Sequence, residues 1–210
     1  MKGMGRRVAI IGGCRTPFSK SGTDLKHLSA VDLGKVAVRE LISRTNLDVN
    51  EIDHLVYGTV IQSLEEPNIA REVGLGSGIP PTVPAFVVGR ACASANQAIT
   101  SAAEHIALGL AEVAIAGGAE SLTDIPILVS DEMRDALVAA SKARTIGDRL
   151  KAFSKIRPVH LKPNAPAIAE PTTGLTMGQS AEKMAQENGI TREEQDKWAL
   201  RSHQLAWAAT

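Results

Sequence analysis

The sequence predicts an α/β fold, in which a mostly parallel sheet lies between layers of helices. Short apolar runs rich in β-branched residues occur at 7–11, 54–60, 83–88 and 112–116, and each has the length of a buried strand. Stretches with apolar residues at helical spacing separate these runs. Strands that alternate with helices form βαβ units, so we expect a mostly parallel sheet.

The first predicted strand, 7–11, ends on a glycine pair. No G-x-G-x-x-G pattern follows it, which argues against a dinucleotide site. The next element is a helix that we expect to begin at a Ser29 cap, with Asp32 in the place of a capping-box partner, and to end near Arg44.

The second predicted strand begins with His54, which has no partner in its motif and is expected at the surface. A short helix is predicted at 68–75, before a segment rich in glycine and proline.

The central unit runs from the strand at 83–88 to the strand at 112–116. Cys92 directly follows the first of these strands, and helical spacing begins at Ser94. The return strand leads into a pair of glycines. The sequence therefore predicts a strand, a tight turn that carries a cysteine, a helix and a return strand.

The placement of Cys92 has chemical consequences. The positive end of a helix dipole and the free N–H groups of the first turn favour the thiolate, which is the nucleophilic form. Those N–H groups can also receive an oxyanion that develops on an attacked carbonyl. The layout is similar to a nucleophile elbow with sulfur in place of a serine oxygen. The alternative is that Cys92 is a small buried apolar residue.

Four motifs, in the same order, resemble those of the thiolase family. They read RTPF, GRACASANQA, AGGAES and MGQSAE, at positions 15–18, 89–98, 116–121 and 177–182. The resemblance spans nearly the whole chain and implies a thiolase-like layered α/β fold. In that fold a mostly parallel mixed sheet is flanked by helices and carries an inserted loop domain.

The resemblance also implies a division of the chain. We expect residues 1–121 to form an incomplete N-terminal α/β domain and residues 122–210 to form part of the loop domain, with the C-terminal thiolase domain absent. The sequence of residues 166–178 is most similar to that of long-chain thiolases, as in the β subunit of the fatty-acid oxidation complex.

By this resemblance the chain is an acetyl-CoA C-acyltransferase that cleaves 3-ketoacyl-CoA in fatty-acid β-oxidation. Cys92 would be the nucleophile that carries the acyl group as a thioester, and its backbone N–H would serve the oxyanion hole. Met177 matches a methionine that lines the acyl pocket. Coenzyme A would be a cosubstrate, with no tightly bound cofactor and no metal.

Two parts of the family's machinery have no counterpart here. The GHP motif with the histidine that activates the nucleophile is missing, as is the C-x-G motif with a second cysteine. His105 lies more than two helical turns beyond Cys92 and is too far along the helix to take that role. We therefore expect a fragment or one chain of a split enzyme, inactive without a second thiolase half. The resemblance further implies a dimer or a dimer of dimers, or an α subunit of an oxidation complex as partner.

Composition limits the remaining classes. The formal net charge is zero, which argues against generic nucleic-acid binding. No apolar run has membrane-spanning length, and two cysteines make no disulfide framework. We therefore predict a soluble cytoplasmic protein.

A run of basic residues between 142 and 162 is opposed by a single acid. It is interpreted as a solvated face, as a surface that attracts the phosphates of an anionic ligand, or as a contact with an anionic membrane surface or partner.

Two other functions remain open. A condensing ketoacyl synthase shares the fold and the nucleophile, although the MGQSAE segment and the basic, proline-rich region resemble thiolase more. A non-catalytic scaffold is the other alternative. Ala95 favours it slightly, because many thiolases have glycine there and alanine narrows the freedom of the turn.

Overall fold

The computed structural model describes residues 6–163 and 169–209. The chain divides into two compact units, Met1–Pro126 and Ile127–Thr210. The domain boundary between residues 121 and 122 stays a prediction.

The first unit contains a three-stranded sheet with the strand order β2-β1-β3, formed by β1 (His54–Gly58), β2 (Ala85–Val88) and β3 (Ala114–Gly118). Both pairings are parallel, and Leu55 lies opposite Ala85 on one side and Ile115 on the other. The helices of this unit are α1 (Ala30–Thr45), α2 (Ile69–Gly76) and α3 (Ser94–Ala107), with a short 3₁₀ turn at Val49–Glu51. The prediction of an α/β fold with a parallel sheet is confirmed.

The alternation of β1 divides the core between the two faces of the sheet. Leu55 and Tyr57 are buried on one face, in a cluster with apolar side chains of α1 and α2. Val56 points to the other face and packs against Ala98 and Ala102 of α3. Because successive side chains of a strand alternate in direction, β1 serves both layers and is the most buried strand.

Capping boxes define several helix starts. At α1, Ser29 and Asp32 bond reciprocally to each other's backbone N–H, as the sequence predicts.

The second unit contains α4 (Asp131–Lys142), α5 (Ile146–Ala152), a 3₁₀ turn (Pro158–Leu161), α6 (Met177–Glu187) and α7 (Arg192–Ala208). Helix α6 begins directly after Thr176, which forms a capping box with Gln179.

The predicted strand at 7–11 is absent from the structure. Arg6 pairs with Glu112 just before β3, and the Cys14 thiol donates to the carbonyl of Ala37 on α1 at 3.0 Å. The segment between them forms no ladder, and Ile10 and Ile11 are 83% and 86% exposed. An apolar run becomes a strand only when a neighbour takes its backbone hydrogen bonds, and this run has no such neighbour among the described residues.

Two carboxylates shorten the strands that do form. The N–H groups of Glu112 and Val113 donate to Asp53 at 2.7 and 3.1 Å, so β3 begins after them. At the other end of the sheet the N–H groups of Val60 and Ile61 donate to a carboxylate from the AGGAES segment, so β1 ends at Gly58.

The second unit buries few side chains. Among its described residues, Ala136 and Ala185 are the hydrophobic residues that are buried. No residue of α7 is buried, and its Trp198 and Trp207 are 70% and 87% exposed. No helix in the described part of the chain is both long and apolar enough to cross a membrane.

Candidate nucleophile site

The turn between β2 and α3 brings Cys92 to the carboxyl end of the parallel sheet. Ala91, directly before it, has a backbone φ of 45°, a left-handed conformation that residues other than glycine rarely adopt. The N–H of Ala93 donates to the carbonyl of Arg90 at 3.0 Å, and the N–H of Ser94 donates to that of Ala91 at 3.1 Å. These bonds close a tight turn, with the exposed Cys92 at its apex.

The hydroxyl of Ser94 adds two hydrogen bonds to the same turn. It accepts from the N–H of Arg90 at 2.8 Å and donates to the carbonyl of Ala91 at 2.7 Å. Ser94 is only 4% exposed. The turn is therefore held from inside the protein, while the thiol faces outward.

Two glycines form the seat on which the first turn of α3 rests. A Cβ at Gly58 would lie 2.5 Å from the carbonyl carbon of Ser94 and 2.7 Å from the nitrogen of Ala95. A Cβ at Gly118 would lie 2.7 Å from the carbonyl oxygen of Gly58 and 3.1 Å from the Cβ of Ala95. The start of α3 thus approaches the ends of β1 and β3 at distances that only glycine permits.

The first turn of α3 has no side-chain cap. Its N-cap residue is Ala93, which cannot accept a hydrogen bond through its side chain. The first N–H groups of a helix have no partner inside the helix. Here the N–H of Ser94 donates to Ala91, and no side chain caps those that follow it. Together with the helix dipole these N–H groups give the start of α3 a partial positive charge, which suits an oxyanion.

Cys92 lines a cleft of about 700 Å³ in the first unit. The titratable or charged groups that share this lining are Cys14, Arg15, Tyr57 and Glu120. Glu120 accepts from the N–H groups of two neighbouring residues, the shorter bond being 2.8 Å, and so holds the backbone after β1. Burial, and secondarily the charge of Cys14, raises the pKa of Tyr57 to about 12, so its phenol stays neutral. No histidine is among the described residues of this lining.

His54 and His105 instead meet at the opposite end of the sheet. Their ring centroids are 4.6 Å apart, and the ring of Phe86 packs on both. The Nδ1 atoms of both histidines are buried and have no hydrogen-bond partner among the described residues. The sequence places His54 at the surface, and the structure makes it half-buried, because the end of α3 covers its ring. Burial, and then His105, lowers the pKa of His54, while Asp53 opposes this shift.

Met177 belongs to the second unit. It is the first residue of α6 and is 60% exposed, directly after the capping residue Thr176. Its contact with an acyl chain stays a prediction. Within residues 6–163 and 169–209, no group of three or more His, Cys, Asp or Glu side chains is placed to hold a metal ion.

The family model described as "Thiolase, N-terminal domain" matches residues 8–210. The chain belongs to the thiolase family. It is 52% identical over 205 residues to a 3-ketoacyl-CoA thiolase of Pseudoalteromonas translucida, which covers 98% of this chain and 47% of that protein. A 3-ketoacyl-CoA thiolase of Serratia proteamaculans is 52% identical over 202 residues, which are 96% of this chain and 46% of that protein. The chain thus spans about half the length of the curated thiolases that it matches.

Solved thiolase structures share the fold. The acetyl-CoA acetyltransferase of Bacillus anthracis aligns with a TM-score of 0.75 and 32% identity, over 95% of this chain and 46% of that one. The human mitochondrial 3-ketoacyl-CoA thiolase in complex with CoA aligns with a TM-score of 0.72 and 30% identity, over 93% and 46%. The predicted thiolase family and layered fold are confirmed.

Sequence reasoning missed the residues that support Cys92. The helical spacing begins at Ser94, and nothing in that spacing indicates that its hydroxyl bonds to the preceding turn. Gly58 and Gly118 each end a strand. A glycine at the end of a strand can indicate that another backbone approaches closely, and this is the only sign of the contact that the sequence gives. Glu120 gives no signal, because its partners lie 59 and 60 residues away in the chain.

Proposed function

We propose that this chain is the nucleophile-bearing half of a 3-ketoacyl-CoA thiolase. The observation that carries the proposal is the exposed Cys92 at an elbow between a parallel strand and the uncapped start of α3. The motif around it lies in a chain that is about half identical to proteins named 3-ketoacyl-CoA thiolase. The reaction would be thiolytic cleavage in fatty-acid β-oxidation, which gives acetyl-CoA and a shortened acyl-CoA.

The proposed mechanism has two half-reactions. The Cys92 thiolate attacks the 3-keto carbon, and the carbonyl electrons move onto oxygen, where N–H groups of the turn and the first turn of α3 stabilise the oxyanion. When the carbonyl re-forms, the bond between C2 and C3 breaks, and the acetyl-CoA enolate leaves and takes a proton. The thiol of a second coenzyme A then loses its proton, attacks the acyl thioester and releases Cys92 as the thiolate.

Proton transfer is the part that this half lacks. Tyr57 keeps its proton at neutral pH, and the carboxylate of Glu120 accepts backbone N–H groups and is held by them. The groups that take a proton from Cys92 and give one to the enolate would therefore come from the second thiolase half. The chain by itself would form the elbow without turning over substrate.

A second thiolase half is the partner that we propose. The exposed apolar side chains of α7 support this, because a helix with no buried residue gains little stability without a partner. The apolar Ile10 and Ile11 are exposed in the same way in the first unit. A homodimer or a dimer of dimers, and an α subunit of an oxidation complex, stay predictions, as does the cytoplasmic location.

Coenzyme A is the proposed cosubstrate, and the basic run of the second unit suits its phosphates. All seven side chains are exposed, and none forms an ion pair among the described residues: Lys142, Arg144, Arg149, Lys151, Lys155, Arg157 and Lys162. Unpaired exposed cations attract polyanions at a distance. Contact with an anionic membrane surface remains the alternative prediction for this run.

The test combines reactivity with reconstitution. The purified chain, folded by circular dichroism, is labelled with iodoacetamide at neutral pH, and each cysteine is followed by mass spectrometry. Cys92 should react faster than Cys14, whose thiol is partly buried and donates to a carbonyl. Mixed with the remaining part of the Pseudoalteromonas translucida relative, the chain should gain thiolysis of a long-chain 3-ketoacyl-CoA.

Two variants make the test decisive. Cys92→Ser should abolish the reconstituted thiolysis, and the matched Cys14→Ser should keep it. Equal, slow labelling of both cysteines, with no thiolysis after mixing, would favour the non-catalytic scaffold. Turnover by the chain alone that Cys92→Ser abolishes would mean that this half does supply its own acid and base.

A further inference from the structure

Cys92 stands in a turn whose backbone is unfavourable for its sequence. The residue before it, Ala91, has φ of 45°, where its Cβ crowds the backbone. Glycine would adopt this conformation without strain, but the chain has alanine. Something outside Ala91 must therefore hold the turn in place.

The hydroxyl of Ser94 is placed to do so. It accepts a hydrogen bond from the N–H of Arg90 and donates one to the carbonyl of Ala91, at 2.8 and 2.7 Å. The Ser94 hydroxyl thus links the N–H of Arg90, the residue before Ala91, to the carbonyl of Ala91 itself. Both bonds reach back across Cys92, so the thiol is carried on a loop that the hydroxyl closes.

This use of a serine at a helix start differs from ordinary capping. A capping serine precedes the helix and accepts from an N–H two or three residues ahead. Ser94 is the first residue of α3, accepts from an N–H four residues behind, and leaves the helix without a side-chain cap. Its hydroxyl therefore stabilises the turn, and no side chain caps the N–H groups that follow Ser94 in the first turn of α3.

The seat under α3 fixes Ser94 itself. Gly58 lies so close that an added Cβ would meet the carbonyl carbon of Ser94 at 2.5 Å, and only 4% of Ser94 is exposed. The backbone of Ser94 therefore packs directly against the end of β1, and this contact sets the position from which its hydroxyl reaches the turn.

We propose that Ser94 is a positioning residue, which holds Ala91 in its left-handed conformation and so fixes the position of the Cys92 thiol at the start of α3. The proposal rests on the proposed function, in which Cys92 is the nucleophile. In this role Ser94 acts on Cys92 through the backbone of the turn, to which both of its hydroxyl bonds go.

The test uses the full chain with Ser94→Ala, Ala91→Gly and the double variant. Ser94→Ala leaves the Arg90 N–H without its partner and removes one of the two hydrogen bonds to the Ala91 carbonyl, which keeps the bond from the Ser94 N–H. We therefore expect Cys92 to alkylate about tenfold more slowly. Ala91→Gly in that background should restore most of the rate, since glycine needs no clamp to keep φ positive. If the Ser94 hydroxyl only stabilised the fold, Ala91→Gly would not restore the alkylation rate of Cys92.

The control is Thr100→Ala on the same helix, whose exposed hydroxyl donates to the carbonyl of Asn96 within α3. It should keep the Cys92 rate within about twofold. A folded Ser94→Ala chain with the unsubstituted rate would overturn the proposal, and so would a slow variant that Ala91→Gly does not rescue.

Amide exchange separates this proposal from the proposed function. The Arg90 N–H of the unsubstituted chain should exchange slowly, and it should exchange at least about tenfold faster in Ser94→Ala. An unprotected Arg90 amide in the folded unsubstituted chain would overturn the clamp even if Ser94→Ala fails to fold. A protected amide with a Cys92 no more reactive than Cys14 would instead count against the proposed nucleophile.

Discussion

Gly58→Ala is the substitution with the sharpest expected effect on the fold. The new Cβ would lie 2.5 Å from the Ser94 carbonyl carbon, 2.7 Å from its oxygen and 2.7 Å from the Ala95 nitrogen. All three contacts are backbone atoms, which have no rotamer to change. The start of α3 would have to move away from β1, against packing that includes Val56 and Ala98.

The magnitude follows from two opposing effects. Forcing one methyl into a filled site costs about 1–3 kcal/mol. Replacing glycine restricts the unfolded chain, which returns about 0.4–1 kcal/mol to the folded state. The net loss in the free energy of unfolding should be on the order of 1–2 kcal/mol, and the displaced turn should also slow the alkylation of Cys92.

The assay is urea unfolding followed by circular dichroism, with Gly13→Ala as the matched control. Gly13 lies in the same unit and has no heavy atom within 4 Å of an added Cβ, so only the unfolded-state effect applies. The control should be as stable as the unsubstituted chain or slightly more so. If Gly58→Ala matched the control in both stability and Cys92 labelling, the close approach of α3 to the sheet would be wrong.

Three further predictions concern the core, the histidine pair and a cap. The chain has a single tyrosine, so tyrosinate absorbance reports Tyr57 alone. The phenol should titrate near a pKa of 12, and the free energy of unfolding should fall as pH rises from about 10 to 12. A titration midpoint near 10 would contradict the burial of Tyr57. Because the folded-state pKa of His54 is lowered by burial and then by His105, stability should fall as pH drops below about 6.5, and His54→Phe should flatten that part of the urea-unfolding profile. Ser29→Ala removes the α1 capping box and should cost about 1 kcal/mol of unfolding free energy by urea titration, while Ser19→Ala, at an exposed loop position, should cost nothing measurable.

Local patterns were enough to locate most of the regular elements. The three parallel strands, the helix after Cys92 and the capping box at Ser29 lie where periodicity and cap residues place them. These features depend on neighbours within a few residues along the chain, so the sequence contains their causes. The family motifs added the fold and the nucleophile hypothesis.

Local patterns did not predict the ends of the strands, and they predicted one strand that does not form. The run at 7–11 has the composition of a strand and is not one, because no neighbouring backbone in the described structure takes its hydrogen bonds. Asp53 and Glu120 end ladders by taking N–H groups from segments about 60 residues away. His54 is covered by His105, which lies on another element.

The sequence by itself determined that a cysteine follows a buried strand and precedes a helix, since strand length, helical period and motif are all local. Only the tertiary structure decided what holds that cysteine. The left-handed Ala91, the hydroxyl bonds of Ser94 and the glycine seat at Gly58 depend on distances between backbone segments that the sheet brings together. Contacts of this kind arise when the sheet and α3 pack, and no pattern of neighbouring residues encodes their geometry.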